Sequence, residues 1–385
     1  MREIRSYGST RGLQVKVACD PVRSSRVRRN VLDHGCFFHL RSTLLVDIRN
    51  MDVSTLKKAL LNPSIYPDRP REVKLVETHI SLVFLTGNHV YKVKKPVDFG
   101  FLDFTSLEKR KHYCEQEVKL NRRLSPAIYL GVIRITQEKE RIELEGRGDA
   151  IEYAVKMKQI PEEYLMDKLL EKKRVTPEMI KSVSEKLAHF YSTAETNDFI
   201  KGFARSERVR QDTDENFEQT EKYIGVAIEK EVYEFIKKRT NHFFETKKEV
   251  FDQRISSEKI RDCHGDLRLE HIYWGEEISI FDCIEFNERF RYTDVAADIG
   301  FLVMDLDYHD REDLGRHLIR SYVEKSGDRE IQSILDFYKC YRAYVRGKVE
   351  SFRLDDLNIP GEEKKRALRR AKKYFDLAHR YARQF

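Results

Sequence analysis

Apolar and polar positions alternate, or nearly so, along Ile80-Ser81-Leu82-Val83-Phe84-Leu85 and His89-Val90-Tyr91-Lys92-Val93-Lys94. The Thr86-Gly87-Asn88 stretch between them is a hairpin signal. A helical period follows over residues 107–124, where Leu120 and Leu124 stand about one turn apart. Strand-like runs return at residues 132–135 and 141–144. A third run, Ile151-Glu152-Tyr153-Ala154-Val155-Lys156-Met157-Lys158, leads to Pro161. Strands around one helix, closed by a strand that runs into proline, predict a small β-rich lobe. After Pro161 the pattern is mostly helical, interrupted only around Asp266 and Asp282. Before the first strand, a capped helix is expected from Ser54. At the far end, Leu368, Ala371, Phe375 and Ala378 recur at helical spacing among Lys and Arg. This predicts a packed terminal helix with a solvated basic face, in preference to a nucleic-acid or membrane-surface helix.

Composition narrows the class. A chain of 385 residues with 40% hydrophobic and 36% charged side chains is expected to be globular, with two lobes or domains. No apolar run reaches the roughly 18 to 20 residues of a membrane span, and the basic N-terminus lacks the apolar segment of a secretory signal. Residues 1–50 hold ten basic side chains against four acidic ones, so +6 of the net +7 arises there. That segment is expected to be a basic, disordered extension, with Met51 as an alternative natural start. Nucleic-acid binding would then rest on a tail, and no such partner is expected for the folded body. The six cysteines contain no Cys-x-x-Cys pair and fit neither a zinc site nor a disulfide framework. Reduced thiols in a cytoplasmic protein are the expectation, with Cys263 and Cys283 as packing residues.

The candidate chemistry lies in two runs. Cys263-His264-Gly265-Asp266-Leu267-Arg268-Leu269-Glu270-His271 is followed by Ile280-Phe281-Asp282-Cys283-Ile284-Glu285-Phe286, which sets Asp282 sixteen residues after Asp266. Phosphoryl transfer needs two such acids. One accepts or orients the proton of the attacking hydroxyl, and the other holds the metal that bridges the nucleotide phosphates. Taken alone, Asp266 reads equally as a turn residue capping a helix near Leu269; the strand-borne Asp282 favours the catalytic reading. A buried, unpartnered Asp at a strand end is costly, and Mg²⁺ with carboxylate and phosphate ligands relieves that cost. Glu285 is expected at the surface. Asp294 is expected as a helix N-cap, and Asp298 as an acceptor for the catalytic-loop backbone or for Arg268. Lys92 and Lys94 alternate onto one strand face, where a lysine can meet the phosphates and be held by a helix carboxylate. Glu117 is the candidate partner and Glu115 its rival. Lys92, flanked by apolar residues, is preferred over Lys94; an exposed basic strand edge is the alternative. There is no Gly-x-Gly-x-x-Gly and no P-loop, so phosphate cover is expected from the Thr86-Gly87-Asn88 turn.

These residues resemble the aminoglycoside phosphotransferase-like branch of the protein-kinase-like superfamily, over about Pro63 to Leu354. More narrowly, VETHISLVFLTGNHVYKVKKPVDFGFLDF, CEQEVKLNRRLSP, HGDLRLEH and FDCIEFNERFRYTDVAADIGFL are similar to a bacterial group known as aminoglycoside phosphotransferase family enzymes. Some members of that group carry an additional C-terminal P-loop ATPase domain. The resemblance implies an α+β, two-lobed protein-kinase-like fold. Residues 51–158 would form an antiparallel N-lobe with one helix, and residues 159–385 a mostly helical C-lobe. It implies ATP in the cleft, Mg²⁺ (or Mn²⁺) as metal, and a hinge at Met157-Lys158-Gln159 whose backbone meets adenine. By motif position Asp266 matches the catalytic Asp, Asp282 the metal Asp, Lys92 the nucleotide lysine and Glu117 its partner. His271 stands where such kinases usually have Asn. Imidazole suits Zn or Mn better than Mg, so three readings stay open: atypical metal ligation, a hydrogen-bonding stand-in, or an impaired metal site. The expected activity is ATP-dependent phosphorylation of a hydroxyl on a small molecule. The alternative is a catalytically impaired nucleotide-binding regulatory module.

Overall fold

A strand with apolar side chains on one face and paired lysines on the other needs two different covers, and the first lobe supplies both. A computed structural model describes residues 52–357 and 359–385; the expectations for residues 1–50 and Met51 lie outside the described residues. Helix α1 (Val53–Leu60) begins one residue earlier than expected, because Asp52 and not Ser54 is its cap and accepts the Thr55 N–H at 3.3 Å. Strands β1 (Lys74–Glu77), β2 (Ser81–Leu85), β3 (His89–Lys94), β4 (Tyr129–Glu138), β5 (Arg141–Leu144) and β6 (Asp149–Lys158) form one antiparallel sheet in the order β1-β2-β3-β6-β4-β5. Side chains alternate across a strand. Tyr91 and Val93 therefore pack with Leu82 and Phe84 beneath Leu56 and Leu60 of α1, while Lys92 and Lys94 point to the opposite face. That face is covered by α2 (Leu107–Asn121), whose Cys114 and Val118 meet Ile128, Tyr129 and Val155. The apolar layer is worth stating in energy: Phe84 is fully buried, and its truncation to Ala is expected to cost about 3–5 kcal/mol.

Beyond β6 the chain is helical: α3 (Met166–Glu171), α4 (Pro177–Thr193), α5 (Asp198–Gly202), α6 (Ser206–Thr220), α7 (Lys230–Thr246) and α8 (Lys248–Ser256). Short strands β7 (Ile260–Asp262), β8 (Ile272–Trp274) and β9 (Ile278–Ile280) then bracket the two acidic motifs. Next come α9 (Glu288–Arg291), β10 (Tyr292–Asp294), α10 (Val295–Tyr308), α11 (Glu312–Ser326), α12 (Leu335–Phe352) and α13 (Gly361–Ala382). β8 pairs with β9, and β7 with β10. Helix α10 is buried from Val295 to Asp307, which makes it the spine of the second lobe. Asp294 caps it by accepting the Ala296 N–H at 2.8 Å. Helix α13 buries Ala371, Phe375 and Ala378, as its spacing predicted, and turns several Lys and Arg outward. The architecture is α+β and two-lobed: one antiparallel sheet with its helix, then a helical lobe. Among the described residues, no helix is long and apolar enough to cross a membrane.

Candidate active site

The loop after β7 is shaped by carboxylates of one buried helix. Gly265 adopts φ +89°, and a Cβ there would come within 2.9 Å of the Phe290 carbonyl oxygen, so the loop requires glycine. Asp298, in the first turn of α10, accepts the N–H groups of His264 at 2.6 Å and Gly265 at 2.9 Å, and the Tyr191 hydroxyl donates to it at 3.2 Å. Asp305, further along α10, accepts the Leu269 N–H at 2.9 Å. Asp298 therefore serves the loop backbone, one of the two roles expected of it. His264 crosses from this loop to the next strand: its Nε2 bonds the Phe281 carbonyl at 2.9 Å, while Nδ1 accepts the Asp266 N–H at 3.3 Å. Burial pushes the His264 imidazole down to about 4, so it is neutral near pH 7 with the proton on Nε2.

The segment holding Asp282 is anchored from the other lobe. The Tyr129 hydroxyl accepts the Asp282 N–H at 3.2 Å, and Asn121 Oδ1 accepts the Cys283 N–H at 2.9 Å. Arg123 donates to the carbonyls of Asp262 at 2.9 Å and Cys263 at 3.0 Å. Asp282 itself has φ +61°, an uncommon conformation for a residue with a Cβ and one that concentrates at functional sites. Its carboxylate meets Lys92 Nζ at 2.9 Å, and Lys92 also meets Glu117 Oε1 at 2.9 Å. The other Glu117 oxygen lies 2.7 Å from Lys94 Nζ, which also pairs with Glu285. Glu115 instead faces solvent beside Lys111.

Glu285 was expected at the surface and is instead 8% exposed. The physical reason is charge balance: two lysines enclosed on one strand face need more than a single carboxylate. Burial raises the Glu285 carboxyl, and Lys94 only partly offsets this. Burial would also raise Glu117, but Lys92 and Lys94 outweigh it and leave Glu117 below the usual carboxylate range. Burial would lower Lys92, but Asp282 and Glu117 hold it well above its ordinary value.

His271 lies between the two acids. Its Nδ1 bonds the Asp266 backbone oxygen at 2.7 Å and lies 3.7 Å from Asp266 Oδ2, while Nε2 lies 3.7 Å from Asp282 Oδ2. Arg268 grips the Asp266 carboxylate with two bonds, at 2.9 and 3.1 Å. Enclosure would raise the Asp266 carboxyl, but Arg268 and His271 hold it well below the usual range. The same holds for Asp282, where Lys92 and His271 prevail over desolvation. Both acids are therefore ionised at neutral pH, and both reach the cleft, with side chains 26% and 46% exposed for Asp266 and Asp282. Among the described residues, no group of three or more His, Cys, Asp or Glu could hold a metal ion. The donor set that does exist is the Asp282 carboxylate with His271 Nε2, which offers its lone pair when the ring is neutral with its proton on Nδ1, as the bond to the Asp266 carbonyl requires. That partial set fits a divalent cation that completes its shell with phosphate and water oxygens. The nitrogen favours Mn²⁺ more than Mg²⁺.

Two expected contacts fall differently. The Thr86-Gly87-Asn88 turn sits at the His89 end of β3, where the Gly87 N–H donates to Gln159 Oε1 at 2.9 Å. The turn at the lysine end is Thr78-His79-Ile80, held by Lys95 Nζ on the Thr78 carbonyl at 2.6 Å. The direction of β3 thus carries the first turn away from the Lys92 and Lys94 end of the strand. Met157 lies in β6 opposite Val90 and Tyr129. The Lys158 N–H is committed to Ile128 and the Gln159 N–H to Asn88, so neither amide is open to a base. The sequence reading passed over His264, Asn121, Arg123 and Tyr129. Polar side chains inside the otherwise apolar seams around Leu120 and Ile128 were the available signal.

No protein-family model matches the chain. It is 31% identical over 278 residues, 72% of its length, to an uncharacterized protein of Mycobacterium bovis and to uncharacterized proteins of two Mycobacterium tuberculosis strains. The match covers 54% of those proteins, so the chain spans about half their length. Among solved structures, it is similar to a choline/ethanolamine kinase family protein from Mesorhizobium loti, with a TM-score of 0.47 and 11% identity over 86% of this chain and 100% of that one. It is also similar to the ADP-bound aminoglycoside phosphotransferase APH(2'')-Ib, with a TM-score of 0.42 and 13% identity over 84% and 99%. Overlaps of this size transfer no activity.

Proposed function

We propose that this chain is an ATP-dependent kinase that moves the γ-phosphoryl group onto a hydroxyl of a small molecule, with Mg²⁺ or Mn²⁺ as its metal. The observation that supports this most is that Asp266 and Asp282, one from each acidic motif, both lie 3.7 Å from the His271 ring. A catalytic base and a metal acid must share one crevice in this way. In this reading Asp266, ionised and oriented by Arg268, takes the hydrogen bond of the acceptor hydroxyl. Lys92 exchanges Asp282 for phosphate oxygens when nucleotide enters, and Glu117 keeps it in place. Lys94 and Glu285 stand behind Glu117 and fix its second oxygen. Asp282 and His271 Nε2 would hold the metal, which would supply neutralisation of phosphate charge. The carbonyl groups around Met157 and Gln159 receive adenine, since the amides of Lys158 and Gln159 are committed. A cytoplasmic location and a small hydroxylic acceptor belong to the same reading.

A second reading is favoured by His271 itself: an imidazole in place of a neutral oxygen would suit a module that binds nucleotide without transferring phosphate. ATP consumption across a metabolite library, with Mg²⁺ and then Mn²⁺, separates the two. Asp266→Ala is expected to lower turnover by roughly 10²–10⁴-fold. Turnover unchanged by that substitution rejects Asp266 as the base, and no turnover with any acceptor favours the second reading.

A further inference from the structure

A cavity of about 1260 Å³ lies apart from the crevice between Asp266 and Asp282. It opens on the other side of α2, between that helix, the end of α4 and the segment after Asp282, and none of Lys92, Asp266, His271 or Asp282 lines it. Its charged walls divide into groups already neutralised and groups that are not. Arg123 and Arg291 close on Asp262. Glu285 is committed to Lys94, and Arg289 bonds Glu215 at 2.6 Å. That leaves Lys119, Lys186 and Arg208 as cations without an ion pair among the described residues, joined by His112 and His189. Against them stand the carboxylates of Glu195 and Glu288.

Lys186 is the informative member. It is half-buried in the cavity wall and has no carboxylate within ion-pair distance among the described residues. Burial lowers its pKa, and only Glu277 works against this. A cation partly out of water without a partner is costly, and an anion in the cavity would relieve that cost. Phe190 and Phe203 add aromatic wall beside the cations, with the Arg208 guanidinium 6.0 Å from the Phe203 ring. The volume exceeds that of most small-ligand sites. We infer that this cavity binds a phosphorylated small molecule through Lys119, Lys186 and Arg208, at a site separated from the nucleotide crevice by α2.

The test is calorimetric titration of inorganic tripolyphosphate into the full chain without divalent metal. Wild type is compared with the Lys119→Ala/Lys186→Ala double variant, whose changes lie outside the nucleotide crevice. Binding is expected in wild type and weakened at least about tenfold in the double variant. Circular dichroism checks that the double variant is folded, and Arg208→Gln gives an independent reading of the same wall. No binding to wild type overturns the inference, as does binding to the cavity variants as tight as to wild type.

Discussion

Asp266 and Asp282 face one another across a single imidazole, yet they are held by different lobes and by different physics. Asp266 sits on a loop whose backbone amides are bonded to Asp298 and Asp305 of the buried helix α10. Asp282 sits on a segment tied to Tyr129 and Asn121 of the first lobe, and its carboxylate is paired with Lys92. The first arrangement is fixed hydrogen bonding inside a dry core, where an unmade bond is expensive. The second is a chain of ions, Asp282–Lys92–Glu117–Lys94–Glu285, one end of which opens to the cleft and can be exchanged for a ligand. The difference teaches that Asp266, the proposed base, is fixed in place, whereas Asp282, the proposed metal ligand, is held by an ion pair that can be exchanged.

The comparison is broken most severely at α10. Asp298→Ala removes the acceptor of two buried amides and of Tyr191, and is expected to cost about 4 kcal/mol in urea unfolding. A loss under 1 kcal/mol would mean the loop does not depend on the helix. On the other side, Lys94→Met strands Glu117 and Glu285 against each other and is expected to cost about 3 kcal/mol. That is less than a full buried-pair loss, because Glu285 is already inclined to hold a proton. Nucleotide affinity should fall in the same variant while the Asp266 loop stays intact by amide exchange.

His264 joins the two sides, so its titration should touch both. Its folded pKa of about 4 lies below the unfolded value of about 6.5, so the unfolded chain binds the proton first. Stability from this group is complete above the unfolded value and falls as pH drops from about 6.5 to 4, by up to roughly 3 kcal/mol. Urea midpoints against pH would record the slope, and His264→Gln should flatten it; a slope unchanged by that substitution contradicts the assignment. The smallest effect belongs to Glu285→Gln. It keeps a hydrogen-bond acceptor for Lys94 and should cost about 1 kcal/mol, seen as a modest shift in the same unfolding curves.

Much of this was legible in the residues. Alternation in β2 and β3, the period of α2 and the proline after β6 outlined the first lobe. Acids beside apolar runs located Asp266 and Asp282. Glu117, read as the favoured partner, lies between both lysines, which spacing on a helix and on a strand allows but cannot choose. What the chain could not reveal depends on long-range register. Glu285 looked like a surface acid because its partner Lys94 is 191 positions away. The Thr86-Gly87-Asn88 turn was expected over the phosphates because a hairpin signal carries no direction, and strand pairing to β6 sends it to the end beside Gln159. Arg123 and Asn121 looked like ordinary end-of-helix polar residues, and only the path of the segment from Cys263 to Cys283 gives them partners.

The central claim is that Asp282 serves metal and nucleotide while Asp266 serves the acceptor. Calorimetric titration of a non-hydrolysable ATP analogue with Mn²⁺ or Mg²⁺ tests it directly in wild type, Asp282→Asn and Asp266→Asn. The account predicts metal-dependent binding that Asp282→Asn weakens by at least about tenfold and Asp266→Asn leaves in place. Binding indifferent to metal and to Asp282, or none in the wild type, would contradict it.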